Sequence, residues 1–177
     1  MQTNLVERYA NTPEGQEAEA ILRKCVHCGF CTATCPTYQL LGDELDGPRG
    51  RIYQIKEILE GAAPTVETQQ HLDRCLTCRS CETTCPSGVD YGRLADIGRK
   101  VVEDAIGRTP FQAFVRRALI FVIPNRPLFG ALLRMGQLFR PILPAAIQRK
   151  VPAKSSGGVW PAERHTRTML VLEACAQ

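Results

Sequence analysis

The sequence predicts a mainly α-helical chain wrapped around two metal sites, and three observations predict it. Nine cysteines in 177 residues are far more than a core needs, and eight of them fall into two copies of one pattern. Helical periodicity with recognisable caps fills the space around those copies. No segment before Thr168 has the alternation or the short apolar run of a strand.

The repeat is in register throughout. Cys25, Cys28, Cys31, Cys35 and Pro36 recur 50 residues later as Cys75, Cys78, Cys81, Cys85 and Pro86, and Thr34 before the last cysteine recurs as Thr84. Each copy reads C-x2-C-x2-C-x3-C-P. Around the copies, Thr12 can cap a helix with Pro13 at its first position, running toward Leu22. Ile52, Ile55 and Leu59 make an apolar stripe with Gly61 placed to end it, and Thr65 to Leu72 reads as a short helix leading into the second copy. Tyr91, Leu94, Ile97, Val101 and Ala105 form a further stripe that stops at Gly107.

Beyond the repeat the character changes. From Ala105 to Ala162 there is no Asp or Glu, while nine basic residues stand there: Arg108, Arg116, Arg117, Arg126, Arg134, Arg140, Arg149, Lys150 and Lys154. Removing those nine from 22 leaves 13 basic residues against 18 acidic ones in the rest of the chain, so +9 faces −5. Two amphipathic helices are expected here, from about Pro110 to Val122 and from about Pro127 to Phe139, bounded by Pro124, Pro141 and Pro144. This segment reads first as helices packed on a core with a solvated basic face, then as a docking surface for a partner, then as a face lying on an anionic bilayer. No nucleic-acid motif accompanies the charge. Lys154 to Pro161 reads as a linker, and Thr168 to Leu172 (TMLVL) as a buried strand with no partner strand in view. The expected organisation is a cysteine-rich domain over 1–107, a basic helical segment over 108–150, a linker over 151–166 and the first strand of a truncated domain over 167–177.

Compartment follows from what the first residues lack. There is no apolar run in the first ten residues, and the longest apolar stretch, Ala118 to Pro124, is too short to span a bilayer. The expectation is a cytoplasmic chain, with the basic segment able to rest on the inner membrane. Cysteines there stay reduced and read as metal ligands rather than disulfides.

Thiolates select zinc, copper(I) or iron–sulfur clusters, and spacing decides among them. Zinc sites pair two C-x2-C elements across a longer gap, which leaves the third cysteine of each run unexplained. Three cysteines at i, i+3 and i+6 can bind three corners of one cubane, and in two-cluster ferredoxins the fourth, followed by Pro, ligates the other cluster. The expected sets are therefore Cys25, Cys28, Cys31 and Cys85 for one [4Fe–4S] cluster, and Cys75, Cys78, Cys81 and Cys35 for the second. His27, inside the first run, is expected to shield the cluster or hydrogen-bond near it rather than ligate, while His71 and His165 read as surface or packing residues. Asp46 to Arg51 forms a compact turn at a helix start, where Arg49 or Arg51 either offsets cluster charge or simply faces solvent.

These runs with their neighbours, CVHCGFCTATCPTYQLLGDELDGPRGRIYQIKEILEG and HLDRCLTCRSCETTCPSGV, resemble the iron–sulfur subunits of bacterial glycolate oxidase (glycolate dehydrogenase). The likeness runs from about Ala20 to Ala105 and returns at TMLVLEACAQ. It implies an α-helical ferredoxin-type domain holding two [4Fe–4S] clusters, followed by a longer region with two cysteine-rich repeats of which Cys175 resembles the first cysteine. In this chain Cys175 is expected to be a free thiol. The resemblance also implies a subunit that passes electrons from FAD-containing partner subunits oxidising glycolate to glyoxylate, with no substrate site of its own. The sequence agrees in having no G-x-G-x-x-G and no acid–base pair in a recognisable setting. Relatives with the same double pattern serve glycerol 3-phosphate or lactate, and a free ferredoxin-like carrier is the remaining alternative.

Overall fold

The computed structural model describes residues 1–154, so the expected linker beyond Lys154, the TMLVL strand and Cys175 lie outside the described residues. The described chain is helical, with no strand among its residues. It divides into two compact units, Met1–Arg108 and a second from Thr109 onward.

In the first unit, α1 (Glu7–Ala10) is one short turn that the sequence does not announce. Helix α2 (Pro13–Lys24) starts as expected: the Thr12 hydroxyl accepts the Gly15 amide and Pro13 takes the first position, where no N–H is needed. After the first cysteine run come α3 (Pro36–Leu41), a 3-10 turn at Glu44–Asp46, and α4 (Pro48–Leu59), whose end is marked by Gly61 at φ 109°. Helix α5 (Val66–Asp73) is capped by the Thr65 hydroxyl. Helix α6 (Ser80–Thr83) sits inside the second run, and α7 (Tyr91–Ile106) is capped by Asp90 and stopped at Gly107, φ 73°.

Each apolar stripe becomes a buried face. Ala18, Ile21 and Leu22 of α2, Ile52, Ile55, Ile58 and Leu59 of α4, Leu72 of α5, and Leu94, Ala95, Ile97 and Val102 of α7 form one core. Helix α7 packs on α2, α4 and α5 and so organises the unit. Each fully buried Leu or Ile contributes about 1.5–3 kcal/mol. Cys25 and Cys81 belong to this core, so both cysteine runs are built into its wall. Gly50 fixes the start of α4: a Cβ there would meet the Glu44 carbonyl oxygen at 2.1 Å, so only glycine lets the helix begin against the Glu44–Asp46 turn.

The second unit holds α8 (Pro110–Val122), α9 (Arg126–Phe139) and α10 (Ala145–Gln148), with a 3-10 turn at Arg140–Ile142. Helix α9 begins one residue earlier than the position of Pro127 suggests, because the Asn125 side chain accepts the Leu128 amide. No residue of α8 or α9 is buried. Among the described residues no single helix is long and apolar enough to cross a membrane. Pro110–Val122 and Arg126–Ile142 reach that length and composition only as a pair bent by 111°.

Candidate metal centre

The two cysteine runs fold alike. His27 and Thr77, 50 residues apart, both adopt positive φ (60° and 56°), and so do Gly29 and Arg79 (86° and 58°). Only glycine enters this left-handed region freely; other residues give up about 1–2 kcal/mol there. Three non-glycine residues held in it at matched points of a repeat mark a loop whose curvature is imposed by what it surrounds. The copies also touch at equivalent positions, where Thr84 Oγ1 donates to Thr34 Oγ1 at 3.2 Å.

The cysteines line two cavities. Cys25, Cys28, Cys31 and Cys85 line one, together with His27, Arg49, Ile52 and Val89. Cys35, Cys75, Cys78 and Cys81 line the second, with Thr37, Arg51 and Arg79. The second cavity thus takes three cysteines from its own run and Cys35 from the other, while the first takes three from its own run and two, Cys81 and Cys85, from the other. Cys81 borders both, as do Pro48 at the start of α4 and Tyr91 at the start of α7. In each run the second cysteine is exposed, Cys28 in one and Cys78 in the other.

The donor chemistry fits iron–sulfur clusters better than single metal ions. Four thiolates around one zinc at 2.3 Å stand about 3.8 Å from each other. Among the described residues the ligand atoms that gather within 4.8 Å belong to Asp43, Asp46 and His71, and no three cysteine sulfurs do so. Wider-set sulfurs around a cavity suit a four-iron core. Burial pushes the Cys81 thiol up to about 12, with Cys31 and Cys75 adding to the rise, and pushes Cys31 up to about 11, with Cys25 adding. Thiols of this kind are deprotonated by the metal they bind, which releases the protons.

The walls differ. At the first cavity the Val89 amide donates to Cys85 Sγ at 3.5 Å, and Arg49 is ion-paired with Glu44 at 2.5 Å. His27 packs edge-on against Tyr53, and its buried Nδ1 has no hydrogen-bond partner among the described residues. Burial and the nearby Arg49 hold this imidazole below its ordinary pKa. At the second cavity the Tyr91 hydroxyl donates to Cys75 Sγ at 3.5 Å, and burial followed by Cys75 raises that phenol well above its usual value, so the donor keeps its proton. Hydrogen bonds from the Ser80 amide and hydroxyl lower the Cys78 thiol.

Arg51 is 1% exposed; it donates to the His71 carbonyl (2.7 Å), Thr37 Oγ1 (3.1 Å) and Asp46 Oδ1 (3.4 Å). Asp46, equally buried, also receives Arg74 at 2.8 Å and His71 Nδ1 at 3.0 Å. His71 is therefore a packing residue with a defined partner, and Arg51 does not face solvent. Arg99 braces the second loop through the Leu72 and Cys75 carbonyls. Tyr91 is the functional side chain that helical periodicity hides: it counts as one apolar position of α7, yet it is buried with a hydroxyl that needs a partner.

Comparison with known proteins agrees with this geometry. Residues 21–89 match the 4Fe-4S dicluster domain. The whole chain is 56% identical over 178 residues to the glycolate oxidase iron-sulfur subunit of Escherichia coli (strain K12), covering 44% of it. It is 38% identical over 86 residues to the probable glycolate oxidase iron-sulfur subunit of Bacillus subtilis (strain 168), spanning 48% of this chain and 19% of that one. It is 29% identical over 90 residues to the succinate dehydrogenase iron-sulfur subunit of Paracoccus denitrificans, spanning 46% of this chain and 35% of that one. The chain spans less than half the length of each of these relatives. No solved structure matches it.

Proposed function

We propose, from a 4Fe-4S dicluster domain set in a chain that resembles a glycolate oxidase iron-sulfur subunit over its whole length, that this protein carries electrons within a glycolate-oxidising flavoprotein complex. Two [4Fe–4S] clusters are the cofactors of this reading. Cys25, Cys28, Cys31 and Cys85 hold one; Cys75, Cys78, Cys81 and Cys35 hold the other. The observation that carries the reading is the crossing of the fourth cysteines: Cys85 joins Cys25, Cys28 and Cys31 at one cavity, and Cys35 joins Cys75, Cys78 and Cys81 at the other.

When bound, each cluster accepts and releases one electron at a time, which lets a pair of them handle the two electrons of a 2-hydroxy acid oxidation. The chain's own residues hold the two sites side by side across Pro48, Cys81 and Tyr91. They keep the inner thiols away from water and leave Cys28 and Cys78 at the surface, where a partner can approach. Glycolate chemistry then belongs to FAD-containing partner subunits, and this chain serves the complex without a substrate site of its own. Residues 1–107 are the working ferredoxin-type domain in this reading.

The acid-free segment supports a docking role. Phe111, Phe114, Ile120 and Phe121 of α8 are exposed among arginines, as a face waiting for an acidic partner subunit would be. The same face suits a peripheral position on the cytoplasmic side of the inner membrane, and sedimentation with anionic against neutral vesicles separates the two.

The test is iron and acid-labile sulfide per chain after anaerobic reconstitution, with EPR of the reduced protein. About eight irons, with a spectrum of two interacting clusters, is expected; bound zinc without iron overturns the reading. Co-purified with its flavoprotein, the chain should bleach on addition of glycolate. Bleaching by lactate or glycerol 3-phosphate instead reassigns the substrate.

A further inference from the structure

The two sites share a ligand pattern but not an electrostatic setting. At the second cavity the Tyr91 hydroxyl donates to Cys75 Sγ, and at the first the Val89 amide donates to Cys85 Sγ, each at 3.5 Å. The repeat itself differs beside them: Arg79 stands where the first copy has Gly29. Thr37 adds nothing to the count, although it lies 3.2 Å from Cys35 Sγ. Its one hydrogen goes to the Asp46 carbonyl at 2.8 Å.

Fixed charge favours the second site. Arg51 and Arg74 converge on the single carboxylate of Asp46, Arg79 stands in the cavity wall, and Arg99 donates to the Cys75 carbonyl at 2.7 Å. The first cavity has Arg49 answered by Glu44, and the Met1 ammonium donating to the Cys25 carbonyl at 2.7 Å. Burial works the other way, with Cys35 and Cys81 buried in the second set against Cys25 in the first, so the charges have to outweigh it. Adding an electron makes a cluster more negative, so donors to its sulfurs and nearby cations favour the reduced form and raise its potential.

We propose that the cluster held by Cys35, Cys75, Cys78 and Cys81 has the higher reduction potential and takes the first electron, with Tyr91 as a positioning residue that adds to its potential. This rests on the two-cluster reading above. It makes the second site the place where an electron collects and the first the more reducing of the pair.

The experiment is an anaerobic potentiometric titration of the reconstituted full chain, followed by EPR, with iron determined on every sample. Two separate one-electron steps are expected. Cys78→Ser should alter the signal that appears first, and Cys28→Ser the signal that appears second. Tyr91→Phe keeps the ring and removes the hydroxyl. It should move the first step to lower potential and leave the second where it was, at unchanged iron content and unchanged far-UV circular dichroism. Thr37→Val serves as the control and should move the first step less than Tyr91→Phe. About eight irons with the steps coincident, or with Cys78→Ser altering the later signal, overturns this proposal while the two-cluster reading stands. Iron near four or below in the unaltered chain removes both.

Discussion

The first and second cysteine runs agree in everything that handles a metal and disagree in nearly everything around it. Both have the same spacing, the same Thr before the last cysteine, the same Pro after it and left-handed backbone at the same two positions. Their surroundings come from unrepeated parts of the chain: Arg49 with half-exposed Glu44 on one side, buried Arg51 with buried Asp46 and the Tyr91 hydroxyl on the other. A repeat thus supplies the same cysteine loop twice, and the intervening helices make the two copies unequal. The crossing of Cys35 and Cys85 in the proposed ligand sets matters as much, because under it neither copy is complete without the other.

The largest expected effect breaks that crossing. Cys35→Ala should remove ligation at the site of the second run, leaving about four irons of eight. Its residual EPR spectrum should match that of Cys78→Ala. A match with Cys28→Ala instead would mean that each run closes its own site and that the arrangement of cysteines around the cavities is not the ligation pattern.

The next comparison concerns the two ion pairs. Asp46→Ala strands Arg51 in the interior and should cost about 3–5 kcal/mol in urea denaturation of the reconstituted protein, since an uncompensated buried charge is left behind. Glu44→Ala removes the partner of a 36% exposed arginine and should cost about 0–1 kcal/mol, because solvent screens the pair. Equal costs would show that the second cavity is no better insulated than the first.

Much of this was legible in the sequence, for reasons that differ by residue. The eight cysteines announce themselves because cluster ligation tolerates few spacings. Helices α2, α4, α5 and α7 are legible because Thr12, Thr65, Gly61 and Gly107 are local signals that act within one turn. The Asp46–Arg51 turn is legible as a turn, but the fate of its arginines is not. Arg49 and Arg51 lie two residues apart on α4 and line different cavities, which depends on where α5 and α7 pack. Tyr91 and the orphaned Nδ1 of His27 are hidden for the same reason: their roles come from partners 16 residues away or absent among the described residues. The charge asymmetry of the second unit is plain in the sequence, yet periodicity alone suggests an apolar face sealed by packing, and no residue of α8 or α9 is buried.

The smallest effect sharpens the comparison at the one loop position where the copies differ in backbone chemistry. Gly29 and Arg79 both sit at positive φ, 86° and 58°, and only the first is glycine. Gly29→Ala forces a Cβ into that conformation, 3.0 Å from the end of the Arg49 side chain, and should cost about 1–2 kcal/mol. The reverse change, Arg79→Gly, relieves strain of that size but gives back about 0.5–1 kcal/mol of chain entropy. It should therefore stabilise by a few tenths to about 1 kcal/mol, even though an arginine is lost from the cavity wall. Opposite signs for the two substitutions, read by urea denaturation at equal iron content, mean that the second copy carries strain the first avoids. The same sign for both would mean that Arg79 gives more through its side chain than its backbone costs, and the second loop would then owe its shape to that contact rather than to the cluster it surrounds.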